Sequence, residues 1–390
     1  MTHYNFNKIS KHAKSLLAAS ITTFALSACG GGSNSSETVT PQPTTFSFSA
    51  NEMITNLTND VIVNGYQSLN NKAQAFHLAT LTLLNTPTAE NLLAAQQAWR
   101  EVRLPWEQGE AHIFGPVDAL SIDPHLDTWP LNTSDLQTLL NNQSGFSADE
   151  IKNWNDDVQG FHTMEYLLFG DGVNDNNKDI TEMTALEREY LVASAEVFYD
   201  HTTNLYNAWT IDYDTSDNIN TPYKDLILTP NNNVYSSQLG VIEELINGMI
   251  GIVDEVGNGK IAEPFGASIT NVDTSKVESQ YSWNSLADFT NNIQGVQNVY
   301  RGELVAGADK QGIINFVEAA DATLASRVDD EINNAIAAIT AIAGENNLPF
   351  RQAIKDENAR LRVQTAIDSL AIVQASLTND VLPLLHKWQQ

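Results

Sequence analysis

The chain has 390 residues, with 48 acidic against 20 basic side chains and a formal net charge of −28 at neutral pH. That balance excludes nucleic acid and anionic lipid headgroups as partners, since holding either requires a cationic face to neutralise phosphates. A single cysteine, Cys29, excludes an intramolecular disulfide framework. The length is enough for two domains, each with its own core.

At the N-terminus Lys8, Lys11 and Lys14 precede an apolar stretch, residues 16–26, and then Ser27-Ala28-Cys29. This is the layout of a signal peptide, and the stretch is well short of the ~20 residues a spanning helix needs. Leu26-Ser27-Ala28-Cys29 resembles the lipobox of bacterial lipoproteins. The expectation is a signal peptide over 1–28 and a lipid on Cys29 that anchors a periplasm-facing protein. Gly30, rather than Asp, after the cysteine leans toward the outer membrane by analogy with lipoprotein sorting. Residues 29–47, with Gly30-Gly31-Gly32, Pro41 and Pro43, read as a flexible tether, and order is expected from about Phe46.

Beyond the tether apolar residues recur at three and four rather than at alternate positions, so the fold class is all-α. In residues 313–342, Ile313, Phe316, Val317, Ala320, Leu324, Val328, Ile332, Ile336 and Ile339 keep one face apolar, predicting a single helix with Gly344 near its C-cap. A last helix is expected from about Pro349. Residues 211–233 turn polar, with Asp212, Asp214, Asp217, Pro222 and Pro230, and suggest a boundary between bundle-like domains at 48–212 and 234–390. Loop 170–179 lacks the closing Glu of an EF-hand and reads as a plain loop. Asp157-Val158-Gln159-Gly160-Phe161 recurs in pattern as Asn292-Ile293-Gln294-Gly295-Val296, a hint of internal duplication.

Three stretches could carry chemistry. Gly160-Phe161-His162-Thr163-Met164-Glu165 begins an apolar helical segment, and residues three apart share a helix face. His162 and Glu165 can thus direct an imidazole and a carboxylate at one point, as metal ligands, as an acid/base pair or as a hydrogen-bonded core histidine. Trp99, Arg103, Trp106 and Glu110 form one stripe of a helix that also contains Pro105. Charges in such a stripe need partners, either Glu110 or a nearby aspartate for Arg103. Phe114-Gly115-Pro116 leads into a loop with Asp118, Asp123, Asp127 and Trp129-Pro130, with His112 and His125 beside it.

Together these stretches resemble the imelysin family, bacterial envelope proteins named for an insulin-cleaving protease and linked to iron-regulated expression. The resemblance rests on Gly160-x-His162-x-x-Glu165, the Trp99/Arg103/Trp106/Glu110 stripe with Phe114-Gly115-Pro116, and the 123–130 loop. Glu243-Glu244-Leu245, Lys260-Ile261-x-x-Pro264, the run 277–289 and Val299-Tyr300-Arg301-Gly302 complete it. It implies two helical domains with a site between them. His162, Glu165 and Glu110 would bind a divalent metal with one of Asp118, Asp123 or Asp127, of which Asp123 is the chosen candidate. Arg103 would orient an anionic group, Trp99 and Trp106 would support it, and Ser282, Asn284 and Ser285 would come from the second domain. His112 stands where the family pattern suggests an aromatic.

The pattern is not HExxH, whose two histidines bind zinc while the glutamate acts as base. Carboxylates with one imidazole suit iron, calcium or manganese better than zinc. The function expected is metal binding linked to iron uptake, with other envelope iron-uptake proteins as further partners. The alternatives are a metallopeptidase and a module in which calcium bridges a polyanion or carbohydrate.

Overall fold

Asn64–Asn85 (α1) and Ala89–Gly109 (α2) form a helical hairpin. α1 buries Tyr66, Leu69, Ala73, Phe76, Thr80 and Leu83, at the spacing of one helix face. Thr88 caps α2 by accepting from the Asn91 amide at 3.3 Å, and the helix runs on through Pro105. Gly160–Phe169 (α3) is buried on nearly every side, and Ala185–Thr210 (α4) starts at a Thr184/Glu187 capping box. α4 packs on α1, and α3 lies against α2 and α4.

The second half contributes Gln238–Asp254 (α5), Ser285–Arg301 (α6), Ala322–Ala341 (α7) and Glu357–Ser376 (α8). Each packs on the next and α8 returns to α5, closing a four-helix ring. The two groups meet where α2 lies along α6, within one compact unit, Thr44–Gln390. Phe46–Ser47 (β1) and Trp388–Gln389 (β2) pair in parallel and tie the two ends together. The all-α expectation holds. The computed structural model describes residues 45–389 except 215, 217, 218 and 309. The expected signal peptide, Cys29 and the tether as far as 44 lie outside the described residues, among which no helix is long and apolar enough to cross a membrane.

Two local expectations change. Residues 313–342 are not one helix: Ile313–Ala320 ends at Asp321, which turns to φ −160°, ψ 103° and caps α7. Its carboxylate accepts from Thr323 N at 2.9 Å and Leu324 N at 3.0 Å, a local bond that the apolar period does not register. Pro349 likewise starts only the short helix Phe350–Ala353, and Asp356 caps α8. The two similar pentapeptides also differ in place. Gly160 sits at φ 75° on the threshold of α3, whereas Gly295 lies inside α6.

Gly295 sets how closely α2 and α6 approach, since a Cβ there would stand 2.2 Å from the Gln108 carbonyl oxygen. Gly295→Ala should therefore destabilise by about 1–3 kcal/mol. Gly240→Ala on α5, where nothing lies within 4 Å, should be neutral or stabilise by up to about 1 kcal/mol. Urea unfolding of both variants checks this, and equal midpoints would contradict the close-approach account.

Candidate metal centre

α2 brings Trp99, Arg103, Trp106, Glu107 and Glu110 to the seam between the helix groups. Arg103 is 0% exposed, and a buried guanidinium requires anionic partners. It contacts Glu107 and Asp127 directly, Glu278 at 3.0 Å and Asp288 at 3.3 Å. Its charged plane also lies 4.6 Å from the Phe161 ring centre. The Arg103–aspartate alternative is thus the one formed, with Asp127. Glu110 pairs instead with Lys260 at 2.9 Å.

α3 enters the site at Gly160, where a side chain would strike the Leu126 carbonyl 2.5 Å from its Cβ. That contact sets the first turn of α3 against the short helix Ile122–Asp127. Trp99 reinforces it by donating to the Phe161 carbonyl at 3.1 Å. His162 then places Nε2 3.1 Å from Asp127 Oδ1, and its Nδ1 lies 3.0 Å from Glu165 Oε2. Trp106 Nε1 donates to Asp127 Oδ2 at 2.6 Å. Glu165 is already saturated: its Oε1 accepts from Tyr281 N at 3.0 Å and from both N and Oγ of Ser282 at 2.7 Å.

The second helix group closes the other side. Ser285 Oγ donates to the Glu278 carbonyl at 2.6 Å and Asn284 Nδ2 to Asp288 Oδ1 at 2.7 Å. Ser282, Asn284 and Ser285 therefore all hold acidic residues of the cluster. Asn292 donates to Glu107 Oε2 at 2.6 Å and also to Glu110. Sequence reasoning missed the chemical roles of Glu107, Lys260, Glu278, Asp288 and Asn292. Lys260 and Glu278 stand inside quoted motifs, but nothing in their spacing shows that they face His162.

Six carboxylates, from Glu107, Glu110, Asp127, Glu165, Glu278 and Asp288, are buried beside Arg103, Lys260 and His162. Burial opposes charge on His162, but Asp127 and Glu165 outweigh it and push its pKa up to about 10. Asp127 stays well below the usual carboxylate range because Arg103 and His162 overcome its burial. Burial raises Glu107 well above that range and Glu110 to about 8, against the pull of the neighbouring cations. Burial also raises Asp288. The cluster holds more acid groups than its cations can keep ionised.

Asp127, His162 and Glu278 each offer a ligand atom, all within 4.8 Å of one another, and form a buried group that could hold a metal ion. Two of their atoms, His162 Nε2 and Glu278 Oε2, are buried without a well-formed hydrogen bond; they face Asp127 and the Lys260 ammonium, so a metal ion would take the place of the Nε2 proton and of that ammonium. One nitrogen and two carboxylates fit a borderline to hard ion. Beside His162 a cleft of about 10 Å³, lined by Trp129, Leu131, Ser279 and Tyr281 among others, has room for about one water.

The other candidates fall outside the group of three ligand atoms, with Asp123 close enough to feel Asp127 and Lys260. Asp118 is exposed and Asp123 partly buried, and burial beside Asp127 raises Asp123 to about 7. His125 pairs with Asp156 at 2.7 Å and stacks on His201. His112 is buried with Nδ1 3.1 Å from the Tyr66 hydroxyl, and burial lowers its pKa to about 4. Below about pH 6.5 the unfolded chain takes up a proton at this position that the folded chain refuses until about pH 4. Stability is therefore lost as pH falls through that window, by about 2 kcal/mol between pH 7 and 5. His112→Phe should flatten the fall by about that amount in urea unfolding at the two pH values; an unchanged slope would contradict it.

The imelysin family (Peptidase M75) matches residues 62–377. The iron-regulated protein A of Synechococcus elongatus is 29% identical over 338 residues, covering 86% of this chain and 87% of that protein. A crystal structure assigned to an iron-regulated protein A precursor from Parabacteroides distasonis aligns with a TM-score of 0.75 at 28% identity, covering 87% of this chain and 95% of that one. An imelysin-like protein from Psychrobacter arcticum aligns with a TM-score of 0.66 at 14% identity, covering 88% and 98%, a likeness of fold alone. With the family match extending over most of its length, the chain belongs to the imelysin family.

Proposed function

We propose that this protein binds a metal ion, iron by preference, at Asp127, His162 and Glu278, and that it serves iron handling from a lipid anchor in the bacterial envelope. The observation that carries the reading is the convergence of those three buried ligand atoms. The ion would take His162 Nε2 and carboxylate oxygens of Asp127 and Glu278, while Glu165 fixes the imidazole through Nδ1. A carboxylate behind a metal-binding histidine sets the ring's tautomer and orientation. Glu165 is therefore a positioning residue, with Tyr281 and Ser282 holding it in turn. Iron accepts this donor set, and the relatives' names tie them to iron regulation. The metallopeptidase alternative has less support, because the cleft beside His162 admits about one water, whereas a scissile peptide and its attacking water both need space.

Metal analysis of the purified full chain after incubation with ferrous iron, manganese, calcium or zinc should find about one equivalent, with iron preferred. His162→Ala and Glu278→Gln should each lose it while keeping native helicity. Glu165→Gln should bind at least ~10-fold more weakly without loss of stoichiometry. Equal metal content in wild type and His162→Ala would reject the site. For the anchor, labelled palmitate should be incorporated by the wild type and not by Cys29→Ala; incorporation by both would reject lipidation at Cys29.

A further inference from the structure

We infer that Lys260 is the cation of this carboxylate cluster that yields to an incoming metal ion, which must displace its ammonium from Glu278. Lys260 thereby sets how tightly the site binds and which ions it refuses. This inference rests on the metal-binding reading and concerns the same site.

Lys260 belongs to the π-helical segment Glu255–Ala262 that continues α5, a rare backbone form that recurs at functional positions. The residue is 0% exposed. Its ammonium lies 2.9 Å from Glu110, 3.2 Å from Glu278 Oε2 and 3.6 Å from Glu107. Glu278 faces Arg103 as well, and it is also one of the three ligand candidates. A divalent ion on Glu278 would stand beside the ammonium, and like charges repel steeply where the dielectric is low. One of the two cations must give way.

The ammonium can do so without losing compensation. Glu110 and Glu107 remain within reach, the Trp129 ring centre lies 5.6 Å away, and the partly buried Glu255 adds to the field it feels. Displacement removes one carboxylate partner while Glu110 and Glu107 stay within reach, and the ammonium beside them favours the ionised form of both. A free monovalent ion carries no more charge than the ammonium and competes against a group held in place by the chain, whose effective concentration is high. An ion of charge two or more with an affinity for oxygen has the advantage that sodium and potassium lack. The native site is therefore selective by charge, and weaker for divalent ions than its carboxylates alone would be.

The test is titration of the full chain in detergent with manganese(II), followed by electron paramagnetic resonance. Ionic strength is held constant with either potassium chloride or tetramethylammonium chloride, whose cation is too large for the site. Wild type should bind equally in both salts. Lys260→Met should bind at least ~10-fold more tightly and become weakened by potassium, whereas Lys260→Arg, which keeps the charge, should behave like wild type. Lys260→Gln serves the same purpose if the methionine variant does not fold.

Unchanged or weaker binding by folded Lys260→Met or Lys260→Gln, or potassium sensitivity in the wild type, would overturn the inference. His162-dependent binding in wild type alongside that result would leave the metal reading standing. Absence of manganese binding in wild type and every variant would remove both.

Discussion

The guanidinium of Arg103 contacts carboxylates from four separate stretches: Glu107 on its own helix, Asp127 at the end of the short helix Ile122–Asp127, and Glu278 and Asp288 from the second helix group. A buried ion pair gains less than its Coulomb attraction suggests, because both charges lose hydration. Removing one partner, however, leaves an uncompensated charge and commonly costs about 3–5 kcal/mol. The two helix groups are thus held in register by a requirement for charge compensation, in addition to the apolar packing along α2 and α6.

That requirement explains why polar residues of the second group serve the first. Ser282 satisfies Glu165, and Asn292 joins Glu107 to Glu110. Each bond satisfies a group that would otherwise be buried unpaired. The result is a preorganised set of oxygens around His162, assembled from residues far apart in sequence. Preorganisation of this kind favours binding, since the ordering of the donors is accomplished by folding.

The HxxE pattern illustrates how a spacing argument and a contact map differ. Helical geometry correctly places His162 and Glu165 on one face, and they are hydrogen-bonded to each other. A carboxylate that orients the ring and one that shares an ion with it are equally compatible with that spacing. Tyr281 and Ser282, which donate to the remaining oxygen of Glu165, favour the orienting role. Asp127, one of three aspartates in its loop region, was singled out only by the approach of Arg103, Trp106 and His162.

Helical periodicity, the embedded Arg103 and Glu110 and the family motifs were legible in the sequence, because each depends on residues close together in the chain. The predicted helix over 313–342 failed at Asp321, where a side-chain cap breaks the backbone without disturbing the apolar period. Glu278 and Lys260 took their meaning from tertiary structure alone. Periodicity reports which face of a helix is buried, but not which distant charge it will meet there. By itself, then, the sequence determined an all-helical protein with charged residues committed to its interior. Folding decided which charges pair, because Coulomb and hydrogen-bond energies depend on distances that only the packed chain defines.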